Sequence, residues 1–124
     1  MKDFRNLQVW QKAHHLVLAV YRITTGLPKH ELYGMTSQLR RAASSIPANI
    51  AEGCGRSGDA EFARFLLISM GSASELKYHL LLAKDLKYIT EADFSELDNL
   101  ANEVQKMITA LHKRIKSSKP QANR

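Results

Sequence analysis

The sequence predicts an all-α protein, an antiparallel up-down-up-down four-helix bundle with a kinked second helix. Three observations predict it. Apolar residues recur at spacings of three and four in four separate segments. Runs that alternate apolar with polar are absent and β-branched residues are scattered, so nothing asks for strands. The segments are divided by the short breaks "TTGLPKHE", "GCGRSG" and "KYIT", and short connections make helices antiparallel neighbours.

The first segment, about 4–25, carries Val9, Ala13, Leu16, Val20 and Ile23 on one stripe, with Trp10 and Val17 widening it. Gly26 and Pro28 end it, the first as a C-cap signal and the second because its ring cannot continue a helix. The second, about 33–54, has Leu39, Ala43, Ile46 and Ile50 as its core side. The third, about 59–87, sets Phe62, Phe65, Leu66, Ser69, Ala73, Leu76, Leu80 and Ala83 on one side. Ser57 or Gly58 is its candidate cap, and Asp59 and Glu61 sit where the positive end of a helix dipole favours acids. Thr90 is the candidate N-cap of the fourth, whose Phe94, Leu97, Ala101, Val104, Ile108, Leu111 and Ile115 form a packing seam. Residues 1–116 are therefore expected to be one bundle domain, and 117–124, "SSKPQANR", a flexible basic tail.

The stretch "RRAASSIPANIAEG", residues 40–53, breaks a local rule. Pro47 removes one helical hydrogen bond and crowds the carbonyl of Ala43, at about 3 kcal/mol in a helix interior. A separate helix starting at Pro47 is too short to stand alone, so one long kinked helix is expected, with Ser44 and Ser45 helping to solvate the freed backbone. Beside the core stripe runs a line of small and polar groups that includes Ser45, Asn49 and Gly53, and Glu52 lies on the next line. The third segment has a matching small patch, "SMGSAS" at 69–74. Two small faces let backbones approach closely. Asn49 is expected to hydrogen-bond across that contact and fix its register, a packing role preferred over a ligand role.

"FRNLQVWQKAHHLVLAVY", "LPKHELYGMTSQLRRAASSIPANIAEGCGRS" and "EFARFLLISMGSASEL" resemble, in order and spacing, the bacterial four-helix-bundle family encoded by intervening sequences within 23S rRNA genes. The resemblance covers roughly residues 4–115. It extends to the accessory protein of diversity-generating retroelements, a basic four-helix bundle that works beside a reverse transcriptase. Met35 stands where the family usually has leucine, and "ISMGSAS" stands where it often has "IAxGSLxE". The resemblance implies a homo-oligomer, with a ring-like homopentamer favoured. The family it implies has no established catalytic activity, and the location of the genes suggests a link to RNA.

At 124 residues the chain suits one domain, and 44% hydrophobic with 24% charged residues is a globular composition. The net charge is +6, and it is uneven. Residues 1–56 hold eight Lys/Arg against three Asp/Glu, while Lys113–Arg124 holds five basic residues and no acid. Such a surface favours polyanions through counterion release. Arg40 and Arg41 head the candidate nucleic-acid-binding residues, joined by Lys12, Arg56, Arg64, Lys113, Arg114 and Lys116. The competing role for the arginine pair is a structural ion pair with Glu52 or Glu31. Arg41 is expected to be the structural one and Arg40 the surface one. No aromatic stacking platform or recognition helix is evident, so contacts to backbone phosphates of RNA or DNA are expected, not base reading.

Other chemistry finds little support. "GCGRSG" at 53–58 matches GxGxxG but follows a helix with no sheet, so it reads as a turn and no cofactor is expected. Cys54 has no local base to make it a nucleophile. Glu75 and His79 form a single i,i+4 pair without a second copy, and no metal is expected. The longest apolar runs are far short of a membrane span, and "MKDFRNLQVW" lacks the layout of a signal peptide, so a cytoplasmic protein is expected. The leading expectation is a non-enzymatic basic oligomer that binds nucleic acid. The alternative is a scaffold that docks a partner enzyme such as a reverse transcriptase.

Overall fold

The computed structural model describes residues 3–118 of the chain. Four α-helices carry it: α1 Gln8–Thr24, α2 Ser37–Gly55, α3 Asp59–Asp85 and α4 Glu91–Ser118. No strand occurs among the described residues. The helices pack in the cyclic order α1, α2, α3, α4 and back to α1. Side-chain partners run in opposite senses across three of these contacts. Lys12 meets Glu103 and Arg22 meets Glu96 between α1 and α4. Ser45 meets Ser72 and Gly53 meets Phe62 and Phe65 between α2 and α3. Ser74 meets Gln105 and Lys84 meets Glu91 between α3 and α4.

The four apolar stripes form one core. Leu16, Val20, Leu39, Ile46, Ile50, Leu66, Leu76, Leu80, Leu97, Val104 and Ile108 are fully buried. Each large side chain removed from water contributes about 1.5–3 kcal/mol. Ile23, Phe94 and Ile115 are half-buried, because they sit near bundle ends where fewer neighbours cover them.

The caps follow from local chemistry. Thr90 Oγ1 accepts from the Asp93 N–H at 3.0 Å, as the spacing predicts. Gly58, not Ser57, opens α3, and its φ of 92° lies where a side chain is strained. At the other end of α3, the Tyr88 N–H returns to the Ala83 carbonyl at 2.9 Å while Lys87 takes a φ of 66°. That is the hydrogen-bonded reversal in which glycine is usual.

Between α1 and α2 the chain is not the simple break expected. A 3-10 turn, Lys29–Glu31, leads into a π-helical turn, Leu32–Thr36, that runs into α2. Gly34 there has non-helical backbone, with φ −113° and ψ −107°. The break in helical geometry therefore precedes α2, and α2 itself continues over the buried Pro47. The two serines do not act as expected. Ser44 donates to the Arg41 carbonyl at 3.3 Å, and Ser45 shares a 2.9 Å hydrogen bond with Ser72. The helix reaches Ser118, into the expected tail; residues 119–124 lie outside the described residues.

The small faces do bring α2 and α3 together. A Cβ on Gly53 would stand 2.9 Å from the Phe65 Cβ and 3.0 Å from Phe62 Cδ1. Fully buried Ser69 donates across the contact to the Ile46 carbonyl at 2.8 Å. Asn49 does not cross it. Its Nδ2 donates to the Ser45 carbonyl at 2.8 Å and to Ser45 Oγ at 3.0 Å, within its own helix. Serine is short enough to fit between two close backbones, so Ser45 and Ser69 take the register-fixing role.

Candidate nucleic-acid interface

The basic residues singled out from the sequence do not form one surface. Arg40 and Arg41 lie near the end of the bundle where α1 finishes, and Arg56 follows the last turn of α2. At 1.5 Å rise per residue, Arg40 and Arg56 are about 24 Å apart along the axis.

The arginine pair takes roles opposite to those expected. Arg40 is half-buried, with its guanidinium 4.5 Å from the Tyr21 ring centroid. Its Nε donates to Thr24 Oγ1 at 2.9 Å, so it locks α2 onto the last turn of α1. Arg41 is exposed and donates to Gln38 Oε1 on its own helix. Neither meets Glu52 or Glu31. The 100° step between adjacent helical positions turned Arg40, not Arg41, toward the neighbouring helix.

Three more cations have acidic partners. Lys12 pairs with Glu103 at 3.3 Å. Arg56 pairs with Glu52 at 2.8 Å, and Arg64 pairs with Glu61 at 3.2 Å. Both guanidiniums also lie over Phe65, at 5.1 and 4.6 Å from its centroid. The Arg64 hydrogen bonds hold the Glu61 carboxyl below its ordinary range. These exposed pairs are weak, but a cation held by an acid is a poorer phosphate ligand than a free one.

The second half of α4 is different. Its acids, Glu91, Asp93, Glu96, Asp98 and Glu103, all precede Val104, and its bases, Lys106, Lys113, Arg114 and Lys116, all follow it. Lys113, Arg114 and Lys116 are exposed, and among the described residues none of these four bases has an ion-pair partner. Three open depressions meet around Ala110, and each contains Lys113 or Arg114. Sequence reasoning missed Lys106. The acid-free run from Val104 onward was the signal that marks it.

The remaining candidates give no catalytic constellation. Among the described residues no group of three or more His, Cys, Asp or Glu is gathered to hold a metal ion. His79 and Glu75 do meet, at 3.5 Å, as a lone pair. Cys54 is buried in the last turn of α2. Of the GxGxxG glycines, Gly53 packs under Phe65 and Gly58 opens α3. Among the described residues no helix is long and apolar enough to cross a membrane.

Comparison with known proteins matches residues 5–110 to the family described as 23S rRNA-intervening sequence protein. Among solved structures, the chain is similar to a protein of unknown function from the S23 ribosomal protein family of Bacteroides thetaiotaomicron VPI-5482. The identity is 26% and the TM-score 0.79, over 85% of this chain and 98% of that one. No curated protein matches.

Proposed function

The chain belongs to the 23S rRNA-intervening sequence protein family, and from that premise we propose that it is a non-enzymatic nucleic-acid-binding protein. It holds RNA or structured DNA by phosphate charge, at the end of the bundle where α4 finishes. The observation that carries this reading is the set Lys106, Lys113, Arg114 and Lys116, which has no ion-pair partner among the described residues, whereas Arg56 and Arg64 are paired with Glu52 and Glu61. Backbone contacts of this kind position a polyanion without reading its sequence.

The working form in this reading is a homo-oligomer in the cytoplasm. Two apolar patches support it. Leu18 and Tyr21 on α1 are 55% and 44% exposed, and Tyr78 and Leu81 on α3 are 59% and 42% exposed. α1 and α3 are diagonal in the packing order, so the patches face away from each other. Two different patches on opposite sides suit a head-to-tail contact that closes into a ring, and the family resemblance favours five copies. Cyclic symmetry then turns every basic end to the same side of the ring, which multiplies weak phosphate contacts by avidity. A second reading, a scaffold for a partner enzyme such as a reverse transcriptase, is favoured by Leu32 and the 93% exposed Tyr33 at the other end of the bundle.

The test is anisotropy of labelled rRNA-fragment RNA, single-stranded DNA and duplex DNA at about 50, 150 and 300 mM salt. Affinity should fall linearly on a log–log salt plot, and Arg114→Glu with Lys116→Glu should flatten the slope. Absence of binding at the middle salt, with one protein enriched in a pull-down, would put the scaffold reading first.

A further inference from the structure

We infer that the groove between α3 and α4 seats a single strand of RNA. This rests on the nucleic-acid reading above and names the ligand and the place. The groove has a volume of ≈ 700 Å³ and is open to solvent, which suits a chain lying across it better than an enclosed small molecule.

Its two walls differ. On the α4 side, Lys106 and Lys113 stand two turns apart, about 10.5 Å along the axis, with Thr109 between them. No carboxylate lines the groove. At the Asn102 end, the Asn102 amide donates to Asp98 at 3.4 Å and its carbonyl oxygen accepts from Lys77. On the floor, Met70 and Ala110 are apolar, and Leu67, one turn before Met70, is 56% exposed. A row of cations beside an apolar floor matches a chain with phosphates on one edge and bare base faces on the other. A duplex buries those faces in its own stack, so it has nothing to offer the floor.

Gln105 decides between the two sugars. Its Nε2 donates to Ser74 Oγ at 3.0 Å, which leaves the amide oxygen as the group with acceptor capacity for a ligand. Phosphate oxygens only accept, so an acceptor among lysines gains nothing from them. A ribose 2′-hydroxyl donates as well as accepts, and deoxyribose lacks it.

The experiment compares one sequence as single-stranded RNA, single-stranded DNA and RNA duplex, by anisotropy at fixed salt. Single-stranded RNA should bind most tightly. Lys106→Glu with Lys113→Glu should cost it about tenfold or more. Gln105→Leu should remove the RNA advantage and leave single-stranded DNA unchanged. Thermal unfolding of each variant checks the fold, since Gln105→Leu also removes the bond to Ser74. If the double lysine variant binds single-stranded RNA as wild type does, while Arg114→Glu with Lys116→Glu weakens it, the groove is wrong and the basic end alone binds. A duplex preference also overturns the groove. Failure of the wild-type protein to bind any of the three removes the groove and the nucleic-acid reading together.

Discussion

The Tyr88 hydroxyl donates to Glu31 across 57 residues of chain, at 2.9 Å. The same carboxylate accepts the Met35 N–H at 2.9 Å, so one side chain ties the connector between α1 and α2 to the turn between α3 and α4. The Met35 N–H, then Tyr88, hold the Glu31 carboxyl below its ordinary value, and the shared bond pushes the Tyr88 hydroxyl up. A lowered carboxyl contributes stability above its unfolded value, near 4.5, and loses it as pH falls through the folded one. The raised hydroxyl contributes below its unfolded value, near 10.0, and loses it as pH rises through the folded one. Tyr88→Phe is therefore expected to lower the Tm at neutral pH, with the difference from wild type shrinking through the acid carboxylate range. Melts followed by circular dichroism across pH give the answer; a pH-independent difference would mean the lost hydroxyl acts in some other way.

Gly53→Ala sets two effects against each other. Alanine gains about 1 kcal/mol of helix propensity over glycine. Its Cβ would meet the Phe65 Cβ at 2.9 Å, and that atom moves only with the backbone of α3. Overpacking of this kind costs about 1–3 kcal/mol, so a net loss of up to about 2 kcal/mol is expected in urea unfolding.

Lys87→Gly should act the other way. Lys87 holds a φ of 66° at the close of α3, where an L side chain is strained and glycine is not. A gain of up to about 1 kcal/mol is expected, read as a higher denaturation midpoint at unchanged slope.

Arg40→Ala separates stability from binding. Loss of the contact with Tyr21 and the bond to Thr24 should cost about 1 kcal/mol of stability. Nucleic-acid affinity should stay within about twofold, since the residue serves the α1–α2 contact and lies far from the basic end. A large loss of affinity in a well-folded variant would return Arg40 to the interface.

Leu18→Asp or Tyr78→Asp, on the two outer patches, should leave helicity intact and reduce the assembled mass. Light scattering reads it directly. A charge buried against an apolar partner face without a counter-ion is disfavoured by several kcal/mol. An unchanged mass in both variants would remove these patches from the subunit contact.

The parts of the fold legible in the sequence are those set by helical period. Leu39, Ala43, Ile46 and Ile50 are all fully buried, as are Leu97, Ala101, Val104 and Ile108, because an inward stripe is a local property of each helix. The pairing of long polar side chains is not local. Arg40 reaches Tyr21 and Thr24, and Asn49 turns back on Ser45, through small rotations of one helix against another that spacing does not encode. The same holds for the connector. Gly26 and Pro28 mark a break in the pattern, yet the turn that forms there is tied through Glu31 to Tyr88, which is remote in sequence. At the candidate interface, the basic tail region was visible as composition. Lys106 was hidden because the charges of α4 read as a mixture until their order along the helix is followed.

That order has a kinetic consequence. With every acid of α4 before Val104 and every base after it, α4 carries a lasting electric moment along its axis. In the field of a polyanion such a body feels a torque before it feels contact. It turns so that its cationic end leads, and fewer encounters are wasted on the wrong orientation.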